Sequence, residues 1–302
     1  MTTHQGGNEA MPGCHDSSER QVRSIFVSDT HLGCKHARAD ALLDFLRNHR
    51  ADTLYLVGDI IDGWALRRKW HWRPIYDAII QRLLEMRAEG TRLRYAPGNH
   101  DAFLRQYLID MGVVDVADQF IHTTPAGQRF LVLHGDRFDK FEQYATWFTM
   151  MTAATYNVML SMDYWLHRLT FRRTQRNVVC GVVKTKAKKL VMHYSEFERQ
   201  LIDNAEKHEC HGVICGHIHN PKISELAGIT YVNTGDWLEN CTGLVEREDG
   251  VLEIVNADGS VRQASQPWGP MSVEGEFNGD EPQREVAEED VDVSEPAEVA
   301  VA

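Results

Sequence analysis

The sequence predicts an α/β fold of two packed β-sheets flanked by helices, with a helical cap inserted into its second half. Three observations carry this expectation. In the first half, short apolar runs alternate with helical periodicity. From about Lys140 to Lys207 only Gly181 interrupts a long helical pattern that contains no proline. From Gly212 to Val255, five short β-type runs follow one another.

The first strand is expected near Arg23–Ser28, followed by a helix near Ala37–Asn48 with Leu42, Leu43, Phe45 and Leu46 as its apolar stripe. A second strand at Thr53–Val57 precedes a helix near Trp72–Ala88, where Ile75, Ile79, Leu83 and Met86 recur at three- or four-residue spacing. A strand at Leu93–Ala96 ends in Pro97-Gly98, and a short helix near Ala102–Tyr107 follows. After a strand at Arg129–Leu133 comes the Met- and aromatic-rich stretch read as the cap, residues 140–207. The strands Gly212–Cys215, Lys222–Leu226, Thr230–Asn233, Thr242–Arg247 and Val251–Val255 are close enough together to predict an antiparallel meander completing the second sheet.

Charge separates the ends from the body. The formal net charge is −12, but residues 271–302 hold eleven acidic residues against Arg284 alone, and the body 21–270 is neutral. This argues against a nucleic-acid partner, which would call for a basic face. Residues 269–302 form an acidic tail without periodic apolar positions, and residues 1–20 are polar; both are expected to be disordered, around a main domain spanning 21–268. The first twenty residues lack a basic region followed by an apolar one, so no secretory signal is expected. No run of about 18 apolar residues occurs to span a membrane. The six cysteines (Cys14, Cys34, Cys180, Cys210, Cys215, Cys241) form no CxxC pair, as expected of reduced thiols in a cytoplasmic protein.

Five polar islands punctuate the strands: Asp29-Thr30-His31, Gly58-Asp59-Ile60-Ile61-Asp62, Gly98-Asn99-His100-Asp101, His134-Gly135-Asp136 and Gly216-His217-Ile218-His219. Each follows an apolar run, so each is delivered to one rim of a sheet. Carboxylate, imidazole and amide donors in this mixture suit a pair of divalent cations such as Mn²⁺, Fe²⁺ or Zn²⁺. Asp59, in the central island, is the natural bridging carboxylate. Asp29, His31 and one histidine of the fifth island would complete one ion's shell; Asn99, His134 and the other histidine would complete the second. His71, His122, His167, His193, His208 and His211 lie outside any island, and most are expected to be structural or exposed. Asp136 and Asp236 fall near the rim, where they either cap loops or touch substrate.

SDTH, GDIID, GNHD, HGD and GHIH together resemble the calcineurin-like metallophosphoesterases, over roughly Arg23 to Val255. The resemblance implies an α/β/β/α sandwich and an enzyme that hydrolyses phosphoric esters or pyrophosphates. It assigns one metal to Asp29, His31, Asp59 and His219, and the other to Asp59, Asn99, His134 and His217. It makes His100 the catalytic imidazole, oriented by Asp101, and places Asp62 behind a ligand. The chemistry it implies is in-line attack on phosphorus by activated water, with no serine or cysteine nucleophile.

The helical insertion, and KKLVMHYSEFERQLIDNAEKH leading into GHIHNP, resemble one branch more than others: the bacterial UDP-2,3-diacylglucosamine diphosphatases of lipid A biosynthesis. That branch implies a nucleotide-sugar lipid substrate, an apolar groove for acyl chains, substrate contacts at Lys184, Lys188 and Asp136, and contact with the inner-membrane surface. The chain departs from the branch at His100, where its best-characterised members carry Arg, and in HGDRFDKF, which lacks the cysteine associated with the branch. A phosphodiesterase or pyrophosphatase of another substrate is one alternative; a non-catalytic protein bound peripherally to the membrane is another.

Overall fold

A computed structural model describes residues 19–139 and 195–268. Among these residues twelve strands form two sheets. Seven lie in the order β12-β11-β10-β1-β2-β3-β4, and five in the order β5-β6-β7-β9-β8. In the first sheet β1 (Arg20–Val27), β2 (His49–Leu56), β3 (Arg92–Tyr95) and β4 (Asp115–Val116) are parallel. In the second, β6 (Arg129–Leu133), β7 (Gly212–Cys215) and β9 (Ile229–Asn233) are parallel, flanked by antiparallel β5 (Gln119–Thr123) and β8 (Lys222–Leu226).

The helices form where apolar residues recur on one face. In α1 (Ala39–Arg47) the predicted stripe Leu42, Leu43, Phe45 and Leu46 is buried. The helix α3 (Pro74–Ala88) begins at its proline, whose missing N–H costs nothing in a first turn, and it buries Tyr76, Ile79, Leu83 and Met86. Both pack on one face of the first sheet, where Tyr76 and Ile79 join Ile25 and Leu54 in one cluster. A helix α4 (Arg105–Met111) precedes β4, and residues 195–207 form α5, whose Phe197, Leu201 and Ala205 cover the outer face of the second sheet through Leu131, Val213 and Tyr231. Between the sheets, Phe26, Tyr55, Leu244 and Ile254 meet Phe130, Val132, Ile214 and Val232. The layers are therefore helix, sheet, sheet, helix.

One expectation is corrected. The strand run after Gly212 does not form a single meander in the second sheet. β10 (Thr242–Glu246), β11 (Leu252–Asn256) and β12 (Val261–Ala264) join the first sheet, with β10 antiparallel to β1. β1 is buried along its second half, so an unpaired edge there would strand backbone N–H and C=O groups away from water. β10, buried at every position, satisfies that edge.

Most of the cap, residues 140–194, lies outside the described residues, as do the terminal segments 1–18 and 269–302. Among the described residues no helix is long and apolar enough to cross a membrane.

Candidate active site

The five islands follow the carboxyl ends of β1, β2, β3, β6 and β7, so parallel strands of both sheets deliver them to one rim. Backbone hydrogen bonds hold the first two islands in register: Asp29 N–H donates to Gly58 O, and His31 N–H donates to Asp59 O. Across the sheets, Gly216 N–H donates to His134 O, and His217 N–H donates to Asp29 Oδ2 at 3.0 Å.

Left-handed backbone recurs along this rim. Asp29, His31, Asp59, His217 and His219 all have positive φ, between 45° and 68°. Left-handed backbone costs a side-chain-bearing residue about 1 kcal/mol or more, and it persists where the surrounding structure demands it. Two glycines make room for the donors. A Cβ on Gly98 would overlap Asp59 Oδ1 and stand 2.7 Å from His134 Nε2; one on Gly216 would overlap Asp29 Oδ2.

The donors converge without satisfying one another. Asp59 Oδ2 faces three imidazoles: His134 Nε2 at 3.4 Å, His31 Nε2 at 3.8 Å and His100 Nε2 at 3.9 Å. Asp29 Oδ1 lies 3.2 Å from His219 Nε2. Yet Asp29 Oδ1, His31 Nε2, His134 Nε2 and both side-chain polar atoms of Asn99 are buried without a hydrogen-bond partner. Donors sharing one cation at about 2.1 Å stand about 3.0–3.4 Å apart, which is the spacing of the closer pairs. Three sets of donor atoms, Asp29–His31–His219, His31–Asp59–His100 and Asp29–Asp59–His134, each lie within 4.8 Å of one another. His134 Nδ1 sits 2.9 Å from Val57 O; donating its proton there leaves the Nε2 lone pair facing Asp59.

Protonation preferences also ask for positive charge here. Burial opposes ionisation of Asp59, but His134, His100 and His31 around it hold its carboxyl well below the usual range. Burial likewise opposes a charged His134, yet Asp59 and Asp29 hold its imidazole well above its ordinary value. Among the described residues, the ion pairs of Asp29, Asp59 and Asp62 are with histidines alone, with no lysine or arginine. The donor set, its orphaned atoms and its uncompensated carboxylates fit divalent cations.

His100 is held differently from the expectation. The carboxylate that reaches its ring is Asp62, not Asp101: Asp62 Oδ1 lies 3.0 Å from His100 Nδ1. Asp101 instead accepts Ile60 N–H at 2.6 Å and Gly98 N–H at 2.7 Å, tying the second island to the third. Burial, with the charge of Asp59, pushes the Asp101 carboxyl up to about 6. Asp62 also accepts Ala65 N–H and so caps a short helix, α2 (Gly63–Arg68). Trp64 on that helix packs tilted against His100, with ring centroids 4.1 Å apart and planes 32° apart; periodicity gave no signal for it.

The remaining candidates separate cleanly. Asp236 caps the turn after it, accepting the backbone N–H groups of Leu238, Glu239 and Asn240. Asp136, partly exposed, follows His134 at the rim. His217 lies beside His134, ring centroids 5.2 Å apart, and its Nε2 meets Asp139 rather than the three donor sets. His122, His208 and His211 make structural hydrogen bonds. Burial raises Cys210 and pushes Cys215 up to about 12, which leaves these thiols inert. Lys184, Lys188, His167 and His193 lie outside the described residues.

Residues 22–221 match the sequence pattern of the calcineurin-like phosphoesterases, and the chain belongs to that family. It is a metal-dependent hydrolase of phosphoric esters. Among curated proteins it is similar to a UDP-2,3-diacylglucosamine hydrolase of Marinobacter nauticus, 26% identical over 72% of this chain and 91% of that one. Another UDP-2,3-diacylglucosamine hydrolase, from Porphyromonas gingivalis, is 31% identical over 37% of this chain and 45% of its own length. Among solved structures, the E. coli phosphoesterase YfcE aligns with a TM-score of 0.42 at 15% identity, covering 81% of this chain and 98% of its own.

Proposed function

We propose that this hydrolase cleaves the pyrophosphate of UDP-2,3-diacylglucosamine, releasing UMP and 2,3-diacylglucosamine 1-phosphate for lipid A biosynthesis. The observation that carries the hydrolytic reading is Asp59 Oδ2 facing three imidazole nitrogens at 3.4–3.9 Å beside orphaned donors of Asp29 and Asn99. The substrate reading is supported by the shared name of the curated relatives. Two divalent cations are assigned, Mn²⁺ first, with Fe²⁺ or Zn²⁺ able to replace it. Asp29, His31, Asp59 and His219 would hold one; Asp59, Asn99, His134 and His217 would hold the other. When bound, the cations neutralise the phosphoryl oxygens and lower the pKa of the attacking water.

The chain's own residues supply the rest. Asp62 accepts from His100 Nδ1, which turns Nε2 toward the donor cluster. From there His100 steadies charge on the phosphoryl group and delivers a proton to the departing oxygen. Asp101, by gripping the backbone of Ile60 and Gly98, fixes the loop that carries Asn99 and His100. Trp64 covers one face of the imidazole and limits its rotation. Asp136, Lys184 and Lys188 are assigned to the substrate, with the enzyme working at the cytoplasmic surface of the inner membrane.

A second reading rests on His100 itself. The histidine stands where the lipid A branch carries arginine, which favours a phosphodiesterase of smaller diesters. One assay separates the two: UMP release from UDP-2,3-diacylglucosamine with Mn²⁺, run beside UDP-glucose and bis(p-nitrophenyl) phosphate. Release from the diacylated substrate at least ten times faster supports the first reading. Hydrolysis of the small diester alone overturns it.

A further inference from the structure

The fourth island delivers a second acidic group that HGD does not include. After β6, His134 is followed by Gly135 at φ +114°, a left-handed position that suits glycine. Phe138 N–H donates to Gly135 O and Asp139 N–H donates to Asp136 O, closing a 3₁₀ turn over Asp136–Phe138. The turn carries Asp139 into the interior, where only 6% of it is exposed. Its Oδ2 lies 3.1 Å from His217 Nε2. The histidine ring is further confined by Phe197 of α5, with ring centroids 5.9 Å apart, and by His134 at 5.2 Å. Its backbone N–H is tied to Asp29 Oδ2.

An imidazole offers one nitrogen to each of two partners. His134 uses Nδ1 on Val57 O and keeps Nε2 for the donor cluster. His217 places Nε2 on Asp139, so the nitrogen it would offer a cation is Nδ1. The two neighbouring histidines are thus set in opposite tautomers by two different acceptors, a peptide carbonyl and a carboxylate. A carboxylate on the far nitrogen fixes the ring and raises the basicity of the near one.

We propose that Asp139 is the positioning residue for His217, so that HGDRFD supplies both a ligand of the second cation and the support for that cation's other histidine. This rests on the two-cation reading given above. In this assignment Asp139 acts through the His217 ring, and its loss weakens one metal site of the two.

The test compares wild type, Asp139→Ala and Asp139→Asn by metal content and by Mn²⁺ titration followed by electron paramagnetic resonance, which distinguishes a lone Mn²⁺ from a coupled pair. Wild type is expected to take up two equivalents and show the coupled signal. Asp139→Ala retains the tighter equivalent, while affinity for the second falls about 10–100-fold and the coupled signal disappears at limiting Mn²⁺. Asp139→Asn, whose amide oxygen still accepts from Nε2, recovers part of that loss and carries the test if the alanine variant does not fold. A second equivalent bound by Asp139→Ala as tightly as by wild type overturns the assignment alone, as does loss of both equivalents together. Wild type that takes up a single equivalent overturns the two-cation reading, and the assignment with it.

Discussion

Between the two sheets, Glu246 of β10 is fully buried and meets Arg23 Nη1 at 2.7 Å. His122 Nε2 lies 3.0 Å from its other oxygen, off the line of a hydrogen bond. Tyr55 OH and His122 Nδ1 are 3.1 Å apart, and Arg94 donates to the same hydroxyl at 3.0 Å. At the rim, Asp29, Asp59 and Asp62 also lie among histidines, but no lysine or arginine pairs with them among the described residues. Carboxylates and imidazoles therefore occur buried in both places. The inner cluster brings its own cations, and it sits on regular strands. Among the described residues the rim cluster has no lysine or arginine, and Asp29, His31, Asp59, His217 and His219 sit on left-handed backbone. Buried charge must be paired or coordinate metal. The first cluster takes one solution, and the second is built for the other.

Substitutions at the two clusters should therefore have opposite signatures. Asp59→Asn is expected to lower kcat about 10³-fold or more, since it would remove the carboxylate proposed to be shared by two cations that together supply several kcal/mol. The melting temperature of the metal-free variant should hold steady or rise, because an uncompensated buried charge is gone. A fall of several degrees in that metal-free melting temperature would break the comparison. His100→Ala should cost about 10²–10⁴-fold in kcat with both metal equivalents retained, read by steady-state kinetics beside metal content. Asp62→Asn, which keeps a hydrogen-bond partner for the ring, should cost about 10-fold; an unchanged rate would remove its orienting role. Glu246→Gln should show the reverse signature, unchanged kcat with stability lower by about 2 kcal/mol in urea unfolding. That figure lies below the ~3–5 kcal/mol of a fully buried pair because about a third of the Arg23 side chain is exposed. A large loss of kcat in Glu246→Gln would show that the two clusters are not independent.

Metal removal sharpens the same contrast. Chelation should abolish activity and lower stability by about 5.4 kcal/mol, about 2.7 kcal/mol for each of the two cations when each is present at a hundred times its dissociation constant. Thermal melts with and without Mn²⁺ check it. Glu246→Gln should show the same Mn²⁺-dependent gain as wild type, because its cluster binds no ion. Equal melting temperatures with and without metal would count against the rim as the metal site.

The sequence alone determined the strand–helix alternation, the apolar stripes of α1 and α3, and the residue types of the five islands. Each of these is local: periodicity records which face is buried, and an island's chemistry is written in its own residues. Tertiary structure decided what periodicity does not encode, namely which edge each strand pairs with and which atom each carboxylate reaches. β10 went to the first sheet because the buried edge of β1 needed a partner. Asp62 reaches the imidazole expected of Asp101 because the third island folds over the second, bringing Asp101 to backbone N–H groups and Asp62 to His100. Asp139 was invisible as a site residue because its target, His217, lies 78 positions away and reaches it only after the two sheets have packed.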